Sequence, residues 1–146
     1  MRRIRIVWTG KTKEGFLAEG IEKYLRVLRR FVKIEVTELK EERINEPERA
    51  KKREGEKILR NTKDFILLTE RGRLMTSEEF SEYLFSYDEP VFVIGGPYGV
   101  SAEVESSARD RVSLSPMTLT HEMTRLVLLE QLYRAITIKK GMRYHH

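Results

Sequence analysis

Val91-Phe92-Val93-Ile94-Gly95-Gly96-Pro97-Tyr98-Gly99 is an apolar strand pattern that runs directly into a glycine loop. An apolar strand that ends in paired glycines stops where its backbone comes close to something, because only residues without a Cβ allow that approach. The simplest such neighbour is a small ligand. A second loop, Leu114-Ser115-Pro116-Met117-Thr118-Leu119-Thr120, opens into a long helical pattern.

Working outward, residues 3–8, 33–37, 65–69, 91–94 and 112–114 read as short strands. Between them lie helical-period patterns such as Phe16, Ile21, Tyr24, Leu25 and Leu28, then Phe80, Tyr83 and Leu84, which suit helices packed on a sheet. Strands joined through helices cannot be hairpins and therefore run mostly parallel. The expected class is α/β: a mostly parallel sheet with helices on both faces, in one domain spanning residues 1–146. Residues 40–53, charged and interrupted by Pro47, are the expected irregular stretch, leading into a helix through Leu59.

The last helix is the best-defined element. Thr120 can cap it, Glu122 lies in its electropositive first turn, and Met123, Leu126, Val127, Leu129, Leu132, Tyr133 and Ile136 supply an apolar face. Lys139 and Lys140 sit at its negative end, before Gly141 as C-cap. Beyond it lies the tail Met142-Arg143-Tyr144-His145-His146.

A chain of 146 residues, 40% hydrophobic, is the size of one domain with a real core. The absence of cysteine removes disulfides, thiolate metal sites and cysteine nucleophiles, and fits a reducing compartment. The N-terminal apolar stretch is too short for a signal peptide, and no segment reaches the ~18 apolar residues of a membrane span. The expected location is cytoplasmic. A net charge of +5, with cations crowded between Arg49 and Arg60, has two readings. It is either a solvated surface mixed with carboxylates or a surface for a polyanion, for which RNA is the natural candidate.

Several motifs fail on spacing. Gly10-Lys11-Thr12 resembles the end of a phosphate-binding loop, but Arg5 stands where the first glycine belongs. The 95–99 loop lacks dinucleotide-fingerprint spacing, and Pro97 removes an N–H donor. His121-Glu122-Met123-Thr124-Arg125 has arginine where a zinc helix needs its second histidine, and Ser101 and Ser115 lack the glycines of a nucleophile elbow. Neither metal nor acyl-enzyme chemistry is indicated. What remains is a cleft at the carboxyl ends of adjacent parallel strands, walled by the 95–99 loop, the 114–119 loop and the end of strand 65–68.

Three blocks carry a resemblance: Val93-Ile94-Gly95-Gly96-Pro97-Tyr98-Gly99; Leu114 through His121 with Arg125; and Glu130-Gln131-Leu132-Tyr133-Arg134-Ala135 with Tyr144-His145. In this order and spacing the chain resembles the SPOUT-class ribosomal RNA large-subunit methyltransferase H family over essentially its whole length. The resemblance implies S-adenosylmethionine-dependent methylation of N3 of a pseudouridine in helix 69 of 23S rRNA, by a homodimer with a C-terminal trefoil knot. It places cofactor contacts on Leu68, Gly95, Gly96, Leu114, Ser115, Pro116, Met117, Thr118 and Leu119. Leu68, Leu114 and Leu119 would hold a flat adenine while backbone groups read its edge, and the glycines would admit ribose and methionine without a Cβ clash.

For the RNA, Arg125 lies one turn after His121, so both can face one cleft. Arg125 is the candidate for binding phosphate or stabilising the anionic base, the alternative being an ion pair with a carboxylate. His121 is expected to make a helix-start hydrogen bond. Tyr144 is placed to stack on the base while His145 accepts the N3 proton. Two positions depart from the family: Thr120 replaces the usual proline before the histidine, and His146 replaces a basic residue after Tyr-His. The competing class is a non-catalytic basic α/β RNA-binding module with a purely structural glycine loop.

Overall fold

The computed structural model describes residues 1–146 as five strands alternating with five helices. The strands are β1 (Arg3–Thr9), β2 (Lys33–Leu39), β3 (Ile66–Leu74), β4 (Val91–Ile94) and β5 (Asp110–Ser113). The helices are α1 (Gly15–Leu28), α2 (Pro47–Asn61), α3 (Ser77–Phe85), α4 (Ala102–Ser107) and α5 (His121–Lys140). Every strand pairing is parallel, in the order β2-β1-β4-β3-β5. The expected class holds, because each crossover helix carries the chain from the carboxyl end of one strand back to the amino end of the sheet, where the next strand begins.

Strand alternation divides the core. Ile4, Ile6 and Trp8 of β1, with Phe92 and Ile94 of β4, join Ile21, Leu25 and Leu28 of α1, Phe80 and Leu84 of α3, and Leu128, Leu129, Leu132, Ala135 and Ile136 of α5. Val7, Leu67 and Val93 point the other way, onto Ile58 of α2 and Val104 of α4. Both faces are therefore covered, and each buried aliphatic side chain stabilises the fold by about 2 kcal/mol.

Four expectations need correction. Phe16 is 65% exposed and Leu17 enters the core instead, one residue round the helix. Residues 47–53 belong to α2, which Pro47 starts at its first turn, where a proline's missing N–H costs nothing. Helix α4 went unforeseen. It has six residues, Ala-Glu-Val-Glu-Ser-Ser, and buries only Val104 behind a Ser101 cap. Finally, α5 has no single apolar face: Met123, Leu126, Val127 and Tyr133 are only half-buried, whereas Glu122, Arg125 and Thr137 are buried with the aliphatic residues. Packed between α1 and α3, α5 reverses the usual burial for reasons found in the site. Its ends are as expected: Thr120 Oγ1 accepts from the Met123 N–H at 3.1 Å, and Gly141 closes the helix at φ +69°.

Candidate active site

The carboxyl ends of β3, β4 and β5 open into one cleft of about 810 Å³. Leu68, Gly95, Gly96, Leu114, Ser115, Met117, Thr118 and Leu119 all line it. Pro116 does not. It sits exposed at the turn of its loop, where the Ser115 hydroxyl accepts the Met117 N–H at 3.0 Å. The Thr118 hydroxyl donates to Glu70 Oε2 at 2.5 Å, which ties this loop to β3 across the cleft. Met117 and Tyr98, 77% and 53% exposed, are large apolar side chains without cover on the two loops.

The glycines act differently from expectation. A Cβ on Gly95 would lie 2.7 Å from Val100 Cγ1 and 3.0 Å from the Gly99 carbonyl carbon, so its bareness lets the loop fold back on itself. A Cβ on Gly96 would meet Glu54 Oε1 at 3.1 Å. Both missing side chains thus make room for protein rather than for ligand. Gly99, at φ +82°, completes the turn, and its N–H donates to the Gly96 carbonyl at 3.0 Å. Glu54 is buried behind this loop and accepts the Glu42 N–H at 2.9 Å. Burial pushes its carboxyl above the ordinary range despite that bond.

The first turn of α5 forms another wall through His121, Glu122 and Thr124. Glu122 Oε1 accepts the backbone N–H groups of Lys13 and Glu14 at 2.9 and 3.0 Å. Helix α1 has no side-chain cap of its own, so Glu122 supplies the acceptor at its entrance from 108 residues away. Burial opposes ionisation of Glu122, but those two donors, with His121 and Arg125, hold its carboxyl below the usual range.

Arg125 is corrected. It is fully buried and does not line the cleft. Nη1 donates to Thr12 Oγ1 at 2.9 Å and Nη2 to the Thr9 carbonyl at 2.7 Å, while the guanidinium lies 4.8 Å from the centre of the Trp8 ring. Its Nε has no partner. Burial lowers its pKa, and neighbouring carboxylates only partly offset this. The residue reads the end of β1, not phosphate: a delocalised cation stacked on an indole is the form of positive charge least costly to enclose. Nor does His121 make the helix-start bond expected of it, because Thr120 already does.

Tyr144 and His145 follow the far end of α5 and fold back along it to the level of Glu130 and Arg134, ~14–20 Å along the helix axis from His121. The Tyr144 ring packs edge-on to Tyr133 at 4.7 Å and 4.8 Å from the Arg134 guanidinium, with its hydroxyl 3.3 Å from that of Tyr24. Arg134 Nη1 reaches His145 Nδ1 at 3.0 Å, and His145 Nε2 hydrogen-bonds Glu78. Arg134 is itself held by Glu130, at 2.6 and 2.8 Å. A single chain therefore assembles the cofactor candidates in one place and the tail candidates in another.

Sequence reasoning did not reach several cleft residues: Glu14, Lys51, Glu70, Arg71 and the capping role of Glu122. Thr69-Glu70-Arg71-Gly72, polar residues closing an apolar strand, was the available signal for two of them.

Comparisons with known proteins bear on this arrangement. A family model described as a predicted SPOUT methyltransferase matches residues 2–145. The chain is 46% identical to the ribosomal RNA large subunit methyltransferase H of Thermodesulfovibrio yellowstonii, over 100% of both chains. It is 43% identical to the protein of the same name from Maridesulfovibrio salexigens, over 100% of this chain and 99% of that one. Among solved structures it is similar to TrmJ from Z. mobilis ZM4, with a TM-score of 0.50 at 12% identity, covering 94% of this chain and 70% of TrmJ. That likeness concerns the fold alone. From the match along its whole length, this chain belongs to the SPOUT methyltransferase family, among relatives named ribosomal RNA large subunit methyltransferase H.

Proposed function

We propose that the protein methylates large-subunit ribosomal RNA with S-adenosylmethionine as methyl donor, and that the acceptor is N3 of a pseudouridine in helix 69 of 23S rRNA. The observation that carries this reading is the cleft, built from the two loops in which kinship and chemistry coincide. Its volume lies in the ~300–1,000 Å³ range of small-molecule sites. Leu68, Leu114 and Leu119 offer apolar walls for an adenine, and the backbone of residues 95–99 and 114–118 offers donors and acceptors to ribose and amino-acid groups. When bound, the donor supplies an electrophilic methyl group on a sulfonium; the protein's part is alignment and removal of the acceptor's proton. Membership of the SPOUT family also implies the trefoil knot of its chains.

The distance along α5 argues for a homodimer. A tail anchored beside Glu130 and Arg134, ~14–20 Å along α5 from the cleft wall at His121, is placed to serve the cleft of a second copy, which would bring Tyr144 and His145 beside the RNA base. Half-buried Met123, Leu126 and Val127 on α5 and exposed Phe16 on α1 provide apolar surface for that association. Lys51 and Arg71 at the cleft, with the overall charge of +5, suit a phosphate backbone.

The test is transfer of a labelled methyl group to ribosomes purified from cells lacking the modification, with the product base mapped by mass spectrometry. The expected result is one methyl group on the helix 69 pseudouridine. Cofactor binding without transfer to any ribosomal RNA would contradict the proposal, and transfer to another nucleotide would contradict its finer part.

A further inference from the structure

We propose that His121, at the start of α5, is the general base that takes the proton from the acceptor nitrogen; this rests on the methyltransferase reading and deepens it. Methylation at a ring N–H requires that proton to leave. It passes to the imidazole lone pair, the nitrogen's electron pair attacks the methyl carbon, and the carbon–sulfur bond breaks with its pair remaining on sulfur. The products are a methylated ring, a neutral thioether and an imidazolium. The base must face the donor cleft and carry a lone pair that no protein group already occupies.

Glu122, Glu70, Lys51 and Arg71 in the cleft and His145 in the tail each fail one of these conditions. Glu122 has Oε1 committed to two backbone donors and a carboxyl held below its usual range, which makes it a poor proton acceptor, and Glu70 takes the Thr118 hydroxyl. Lys51 and Arg71 are cations paired with Glu48 and Glu105. His145, the residue first expected in this role, has both ring nitrogens engaged. A guanidinium can only donate, so Nδ1 accepts from Arg134 and the ring proton sits on Nε2, directed at Glu78. In that state its lone pair is occupied, and the imidazole anchors the tail beside Tyr144.

His121 meets both conditions. Its ring lines the cleft, is 22% exposed and makes no hydrogen bond, with Glu122 Oε2 4.0 Å from Nε2. The charged groups that face it are Arg125 and Glu122 from α5, Lys13 from the β1–α1 loop and Glu41 from the segment after β2. Burial first, and Arg125 second, hold its pKa below the ordinary histidine value, and the positive end of α5 acts in the same sense. The imidazole is therefore neutral at neutral pH, with its lone pair available.

The experiment is single-turnover methyl transfer to unmodified ribosomes between pH 5 and 9, using full-length wild type, His121→Ala, His121→Gln and His145→Ala. The wild-type rate should fall about tenfold per pH unit on the acid side as the imidazole protonates. His121→Ala and His121→Gln should lose about 100-fold or more in rate and that acid limb with it, bind S-adenosylmethionine within about threefold of wild type by calorimetry, and regain rate when free imidazole is added to His121→Ala. His145→Ala should weaken ribosome binding and keep the acid limb. An active wild type whose His121 variants keep the rate and its pH dependence, or whose acid limb disappears with His145 instead, would overturn this inference alone. A wild type that transfers no methyl group would overturn the methyltransferase reading beneath it.

Discussion

The two ends of α5 solve opposite problems. At its first turn, Glu122 and Arg125 are buried and spend their hydrogen bonds on residues 9–14, mostly on backbone, so charge there fixes a neighbouring segment. Along its second half, Glu130, Arg134 and the tail residues Tyr144 and His145 bond mostly to one another and to Glu78, and charge there holds the tail against the helix. The first end builds a cleft from residues distant in sequence. The second presents aromatic and imidazole groups that have no cleft beside them. On the proposed function, one helix carries two halves of a site without bringing them together.

The comparison can be broken most forcefully at the tail. Deleting residues 144–146 should lower methyl transfer by on the order of 1,000-fold through lost positioning of the RNA base, while calorimetry finds donor affinity within about twofold of wild type. A parallel loss of donor affinity would show that the two ends are not separable. At the other end, Arg125→Ala should cost about 3 kcal/mol in urea unfolding, because it leaves a cavity on Trp8 and strips partners from Thr9 and Thr12.

Sharper still is Gly95→Val. Its side chain would overlap Val100, and relieving an overlap of about 1–3 kcal/mol by displacing the 95–99 loop should lower donor affinity by roughly 5- to 150-fold, with the tail contacts intact. The smallest effect belongs to Glu122→Gln. The folded carboxyl of Glu122 is held below its ordinary range, so its stabilisation is complete above the unfolded pKa of about 4.3 and is lost as pH falls through the lower folded value. Thermal unfolding of the wild type should therefore weaken more steeply below about pH 4 than that of Glu122→Gln, and equal slopes would refute the capping role.

Sequence reading reached what local pattern controls. The strand Val91–Ile94, its glycine loop and the capped start of α5 all fall where they were expected, because apolar runs and turn chemistry act over a few residues. Arg125 was misread because its partners, Trp8, Thr9 and Thr12, lie more than a hundred positions away, and nothing in a helix turn distinguishes a buried cation from an exposed one. The glycines were located correctly, but for the wrong neighbour: Val100 and Glu54, not a ligand, occupy the space. The separation of Tyr144 and His145 from the cleft depends on the direction of α5 across the sheet, which periodicity does not encode.

The most direct test of a site divided between two copies is complementation in mixed dimers. One variant carries Gly95→Val and an intact tail, the other an intact cleft and no residues 144–146; with S-adenosylmethionine held far below the dissociation constant of Gly95→Val, each alone should be nearly inactive. Co-expressed and randomly paired, they should recover about one quarter of wild-type methyl transfer, since half the dimers are mixed and each holds one complete site of two. Recovery of that activity is the expected result. A mixture no more active than either variant alone would contradict the account.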